Sequence, residues 1–389
     1  MKKIILLLHI SMITSFGFSQ CITTEDANNT VSLCKYSGAA IGKEDFSTSN
    51  IIAAAAQKWM LLMFNAVVDP AIKKTKGLRG TLSGTLEISR DDGLSPYNFQ
   101  CTMLELGCTK SKKLYEKEES GVIFTFHINS LKGIAKAVTH TEYVVKKGSA
   151  EEKTVFDKIE GRQVYLLNQP TASEQYTGFT FYSKEDDGTK NIVVAKEAMP
   201  LFIPVSIKDV LLLTKGSYTV FMNGQNKTYS DFINMGVEGY LAQMDLKIFE
   251  KDFGKEATEK AKADFIKTYN DQVAGYKKMI EENPVKKWIA GIDVYLKNSS
   301  AALLKKPCIV ANEIIVTDKP LSDVLFLDNP SEGMQYITIN PAYADKSNPA
   351  TPQFVLVQTS INAKSAVSLS AKKDFEENID FKKLQLMLH

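Results

Sequence analysis

Apolar residues recur at helical steps in "IIAAAAQKWMLLMFNAVV" (residues 51–68), and "FSTSN" (46–50) supplies N-cap candidates just before it. This predicts a helix ended by Asp69-Pro70, because proline disfavours helical geometry in the residue before it. The period then changes. "LRGTLSGTLEIS", "YNFQCTMLEL", "GVIFTFHINS", "AVTHTEYVV" and "RQVYLLN" are short runs rich in Val, Ile, Thr, Tyr and Phe. They predict a mostly antiparallel β region. "RDDG" (90–93), "KEDDG" (184–188) and "FMNGQNKTY" (221–229) read as hairpin turns, since glycine accepts positive φ without penalty. Beyond the two DDG turns little repeats.

From Ser230 the helical period returns. In "KEATEKAKADFIKTYNDQVAGYKKMIEEN" (255–283), Phe265, Tyr269, Val273, Tyr276 and Ile280 step by three or four, marking one buried stripe on a charged helix. Pro284 interrupts, and "VKKWIAGIDVYLK" (285–297) continues as the second arm of a helical hairpin. After Pro307 come the β-like runs "CIVANEIIVT", "DVLFL", "MQYITIN" and "QFVLVQTSI", then a last helix within 372–388. The expected fold class is α+β. Its blocks are an N-terminal helix with an antiparallel β domain (21–229), a helical segment (230–306) and a C-terminal α+β part (307–389).

Residues 1–20 fit a secretory signal: Lys2 and Lys3, the apolar "IILLLHISMI", then small residues up to "SFGFSQC". Cleavage is expected beside Gln20, leaving either Gln20 or Cys21 first. A third course is lipidation of Cys21, but Gln20 and Phe18 stand where a lipobox has a small residue and a leucine. Removing Lys2 and Lys3 brings the formal net charge of +2 to about zero. A neutral chain lacks the basic excess that attracts a phosphate backbone, so nucleic acid is not an expected partner. The cluster "IKKTKGLR" (72–79) reads as a solvated turn. No membrane span is expected in the mature chain, because Gln57 and Lys58 sit mid-way along 51–68.

Export permits disulfides. Cys21 with Cys34 and Cys101 with Cys108 are the pairs close in sequence, leaving Cys308 free. A straight strand would hold Cys101 and Cys108 about 20 Å apart, so their pairing requires a reversal within "TMLELG".

"MPLFIPVSIKDVLLL" (199–213) resembles a segment of the form Pro-x-Ile-Pro-Val-Thr-Arg-Lys-x-Tyr-Leu. "INPAYADKSNPATPQFVLVQTS" (339–360), with "KKDFEENIDFKKLQLML" after it, resembles the C-terminal end of the same group. These are uncharacterised, signal-bearing exported proteins of Bacteroidetes-type bacteria, and the likeness covers residues 195–389. The group's Thr-Arg-Lys is replaced at "SIKDVL". The resemblance implies export and a long helical segment between the two stretches, and it assigns no activity.

Candidate chemistry is sparse. Past the signal, the histidines are His127, His140 and His389. His140 and Glu142 share a strand face in "VTHTEYV" and offer two metal ligands, with His127 on a neighbouring strand as a third. The bland alternative is polar residues on a sheet, and no cofactor is expected. Ser83 in "GTLSG" lacks the spacing of a nucleophile elbow. Among the acids, Asp91, Asp92, Asp186 and Asp187 sit in turns, and Glu105, Asp293, Asp323 and Asp328 are scattered. A glycosidase-like pair needs a separation that sequence does not give. Tyr176, Phe179 and Phe181 in "YTGFTFYSK" are candidates for stacking on a ligand. The expected function is non-catalytic binding in the cell envelope, of a small molecule or a protein, which predicts a closed apolar pocket with few polar groups. The alternatives are a carboxylate-based hydrolase, which predicts acids converging in a cleft, and an assembly component, which predicts an exposed apolar patch along 255–297.

Overall fold

The computed structural model describes residues 23–389 apart from 45–48, 88–92, 147–148, 169–174, 177–178, 182–188, 198, 244–245, 312–313, 315–320, 322–324 and 363–364. The class is mixed α+β, with antiparallel-rich sheets, a long helical segment and C-terminal helices. The helices are α1 Thr24–Asn29, α2 Asn50–Met63, α3 Asp69–Ile72, α4 Ile207–Leu241, α5 Leu246–Phe253, α6 Lys255–Glu281, α7 Val285–Asn298, α8 Ala301–Leu304, α9 Ala366–Asn378 and α10 Phe381–Leu386. The strands begin with β1 Leu33–Tyr36, β2 Gly42–Lys43, β3 Leu78–Leu86, β4 Tyr97–Cys108, β5 Leu114–Glu116, β6 Val122–Ile128, β7 Ala135–Ala137, β8 Thr139–Lys146 and β9 Ser149–Phe156. They continue with β10 Lys158–Ile159, β11 Arg162–Leu167, β12 Gln175–Tyr176, β13 Phe179–Phe181, β14 Lys190–Val194, β15 Phe202–Pro204, β16 Ile309–Val310, β17 Met334–Ile339 and β18 Val355–Ile361.

The chain forms two units that interleave along the sequence, where consecutive blocks were expected. The first comprises Met1–Lys136, Asn168–Ile203 and Ile339–His389; the second comprises Ala137–Leu167 and Pro204–Thr338.

The first unit is built on a sheet of order β1-β3-β4-β6-β18-β14-β13-β12. β1 runs parallel to β3, and β3, β4, β6, β18 and β14 are successively antiparallel. Alternate residues of β6, Val122, Phe124, Phe126 and Ile128, enter a core with Met60, Met63 and Val67 of the helical layer. Phe124 stacks on Phe375 of α9 at 3.8 Å between ring centroids. Glu376, next along α9, accepts from Thr359 of β18 and pairs with Lys190 of β14 at 3.3 Å, fixing the helix over the sheet.

Ser49 caps α2 by accepting from the amide of Ile52. The helix does not stop at Asp69-Pro70, contrary to expectation. A π-helical stretch, Phe64–Val68, lets the Asp69 amide bond to the Phe64 carbonyl, and α3 follows with Pro70 in its first turn. The wider π turn relieves the clash between the proline ring and the carbonyl four residues back, and an amide is not needed at that position. Asn50–Ile72 is long and apolar enough to cross a bilayer by length and composition. Its Ala53, Ala56, Met60 and Met63 face lies in the core of this unit.

In the second unit β11 pairs antiparallel with β10 and β17, and β16 pairs with β17. β8 and β9 form a long hairpin from Thr139↔Phe156 to Lys146↔Ser149. The core joins Val164 and Leu166 of β11, Val210 and Leu211 of α4, Ile292 and Tyr295 of α7, and Tyr336 of β17. "FMNGQNKTY" is not a hairpin: it lies inside α4, which starts at Ile207 behind a Ser206 cap. The helical segment therefore begins well before Ser230. Asn223-Gly224 carries turn chemistry, but the apolar residues around it follow the helical period and pack against α6 and α7.

Candidate functional site

The sequence candidates separate between the units. His140 and Glu142 lie on β8 in the second unit, side by side as the strand period requires. The β8–β9 pairing carries the chain back so that Asp157, just past β9, donates its amide to the carbonyl of Val138. The Asp157 carboxylate is buried and accepts from His140 Nδ1 at 2.6 Å. Ser217 of α4 also donates to Asp157, at 3.2 Å. The other ring nitrogen, Nε2, faces Glu142 Oε1 at 3.3 Å.

This is not a serine-hydrolase array. Ser217 bonds to the acid rather than to the imidazole, and it sits within a helix, also donating to the Leu213 carbonyl. A nucleophile must touch its base. What the cluster does is lock the imidazole: Asp157 holds Nδ1–H and leaves Nε2 to Glu142.

His127 belongs to the first unit, on β6 between Asn98 of β4 and Leu356 of β18. Its side chain is buried, and among the described residues neither ring nitrogen has a hydrogen-bond partner. Glu87 Oε1 lies 3.9 Å from Nδ1. Burial pushes the Glu87 carboxyl up, but His127, Ser130 and Asn98 together outweigh it and hold the carboxyl below its usual range. Among the described residues no group of three or more His, Cys, Asp or Glu side chains converges on a metal position.

The remaining acids are tied into structure. Glu105 accepts from Ser365 and Ser368 and pairs with Lys117. Asp293 pairs with Lys215 and Asp328 with Lys306. Asp91, Asp92, Asp186, Asp187 and Asp323 lie outside the described residues. Ser83 faces Gln100 across β3–β4, a strand removed from β6.

Tyr176 pairs with Phe179 in the β12–β13 hairpin, and Phe181 pairs with Ile192 of β14. Their side chains lie outside what the structure describes. The cysteines differ from the short-range pairing. Cys108 is disulfide-bonded, Cys34, Cys101 and Cys308 are free and buried, and Cys21 lies outside the described residues. β4 stays extended from Tyr97 to Cys108, so Cys101 and Cys108 are held too far apart to bridge. Burial pushes the Cys101 thiol well up, which keeps it unreactive.

The expected hairpin of 255–283 with 285–297 does not form: α6 and α7 each pack against α4 instead. α6 spans 27 residues, about 40 Å at 1.5 Å per residue, and lies along α4. The seam is aromatic. Tyr229 stacks on Tyr276 at 4.7 Å, Phe232 meets Tyr269 and Tyr276, and Tyr240 meets Phe265 and Tyr269. At Gly236, with φ 71°, α4 is kinked. Tyr269 Oη donates to the Ile233 carbonyl at 2.8 Å and reaches that of Phe232.

Among the described residues from Leu212 to Glu281, only Thr258 and Tyr269 are buried. Ile248 is 58% exposed, Phe253 65% and Met279 52%, far more than an ordinary core-facing stripe allows. α5 buries no residue, yet it carries Ile248 and a Phe249–Phe253 ring pair 4.7 Å apart. No protein-family model, curated protein or solved structure matches the chain.

Proposed function

We propose that this is an exported cell-envelope protein that works by non-catalytic binding, docking the α4–α5–α6 arm on an apolar surface of another envelope protein. The observation that carries the reading is the exposed apolar end of that arm, Ile248 and Phe253 on a helix with no buried residue; this is the open surface expected of an assembly component rather than a closed pocket, so the partner proposed is a protein and not a small molecule. Large apolar side chains left exposed on one element are a mark of interaction sites. A protein surface fits better than anionic lipid, because Lys247, Lys251 and Lys255 are balanced by Glu250, Asp252 and Glu256. Export is supported by the charged-apolar-small pattern of residues 1–20 and by the disulfide at Cys108, which is at home in an oxidising compartment.

The test is a photo-crosslinking residue placed at Phe253 in cells, with a second at the exposed Glu160 as control. The expected result is one discrete protein adduct from position 253, lost when Ile248→Asp is added, and none from position 160. Lipid adducts alone, or the same diffuse adducts from both positions, would overturn the reading.

A further inference from the structure

The contact between His140 and Glu142 needs a positive group within it. Asp157 accepts from Nδ1, so in the neutral imidazole Nε2 carries a lone pair. That lone pair points at a carboxylate oxygen 3.3 Å away. Two acceptors at that distance repel unless a proton or a metal ion lies between them. Two ligands each about 2.0 Å from a tetrahedral ion stand about 3.3 Å apart, which is the separation here.

The surroundings fit a metal better than a lone surface pair. Ligating histidines hand their second ring N–H to a carboxylate, and Asp157 supplies that partner at 2.6 Å from a buried position. Asp157 is itself fixed by Ser217 and by its backbone bonds to Val138 and Val164. The ring is thus oriented before anything binds. His140 and Glu142 retain side-chain exposures of 17% and 38%, so the pair is reached from solvent.

We infer that His140 Nε2 and Glu142 Oε1 form a two-ligand site for a divalent transition-metal ion, with Asp157 as the residue that positions His140. Imidazole with carboxylate suits zinc and its neighbours rather than calcium or magnesium. No third side chain converges among the described residues, so water or a group from a second molecule completes the coordination. Ser217 lies on α4, which also carries the docking arm, but neither metal ligand does.

The experiment is titration of the metal-free full chain with Zn²⁺ by calorimetry, and with Co²⁺ read by its visible absorption bands. Expected is one saturable equivalent, lost in His140→Ala and in Glu142→Gln, and unchanged in His127→Ala. Asp157→Asn should weaken it by about 10–100-fold, the usual effect of removing such a partner. Glu142 is partly exposed, so its variant folds even if that at His140 does not. Uptake that is absent, or identical in wild type and Glu142→Gln, would mean that a proton alone bridges the pair and would overturn the site.

Discussion

At the residue scale, buried polar groups decide where single changes matter. Glu105 lies in the first unit against the Ser365 and Ser368 hydroxyls of the α9 start and the Lys117 ammonium. Burial alone would raise its carboxyl, but those hydroxyls and Lys117 win and hold it below the usual range. A carboxyl depressed in the folded state stabilises fully above its unfolded value, and that contribution is lost as pH falls through the folded value. Glu105→Gln should therefore cost about 1–3 kcal/mol at neutral pH. The difference from wild type should shrink below pH 4.5, the reference value for the group, in denaturant melts across that range. In the same unit, peptide mapping of denatured, unreduced protein should find Cys101 as a free thiol and Cys108 in a disulfide. His140 and Glu142 were legible as a pair because the strand period is two. Asp157 was not, because only the register of β8 on β9 brings it to His140, and "SAEEKTVF" is too charged to stand out as a strand.

At the element scale, period was a good guide where one face is buried and a poor one where local turn chemistry intrudes. The stripe from Phe265 to Ile280 was readable since its aromatics meet those of α4. The first half of α4 was hidden by Asn223-Gly224, and the continuation of α2 by Pro70, which the π turn accommodates. Tyr269→Phe should leave the seam packed but strip the Ile233 carbonyl of its donor, costing about 1 kcal/mol and speeding amide exchange around the Gly236 kink. Gly80→Ala should be worse. A Cβ there would sit 1.9 Å from the Thr102 carbonyl oxygen, so β3 and β4 must part, and a loss of about 1–3 kcal/mol is expected in thermal melts.

At the scale of the whole molecule, the two units differ in what holds them. The first has a continuous core under an extended sheet, with Phe124, Phe126 and Phe375 fully buried. In the second the core ends near Leu211, and the arm beyond it relies on an aromatic seam in which Tyr269 alone is buried among the described residues. Segments with so few buried contacts open at low free energy. Ile248→Asp with Phe253→Asp should accordingly leave the melting temperature unchanged, because neither side chain is buried in the free chain. A docked partner would supply the missing contacts. The most direct measurement is hydrogen exchange of residues 220–281, in the purified chain and in the chain recovered with its crosslinked partner from the envelope. Rapid exchange is expected across the arm when free, and strong protection centred on α5 when bound. Equal exchange in the two samples, or protection confined to the first unit, would contradict it.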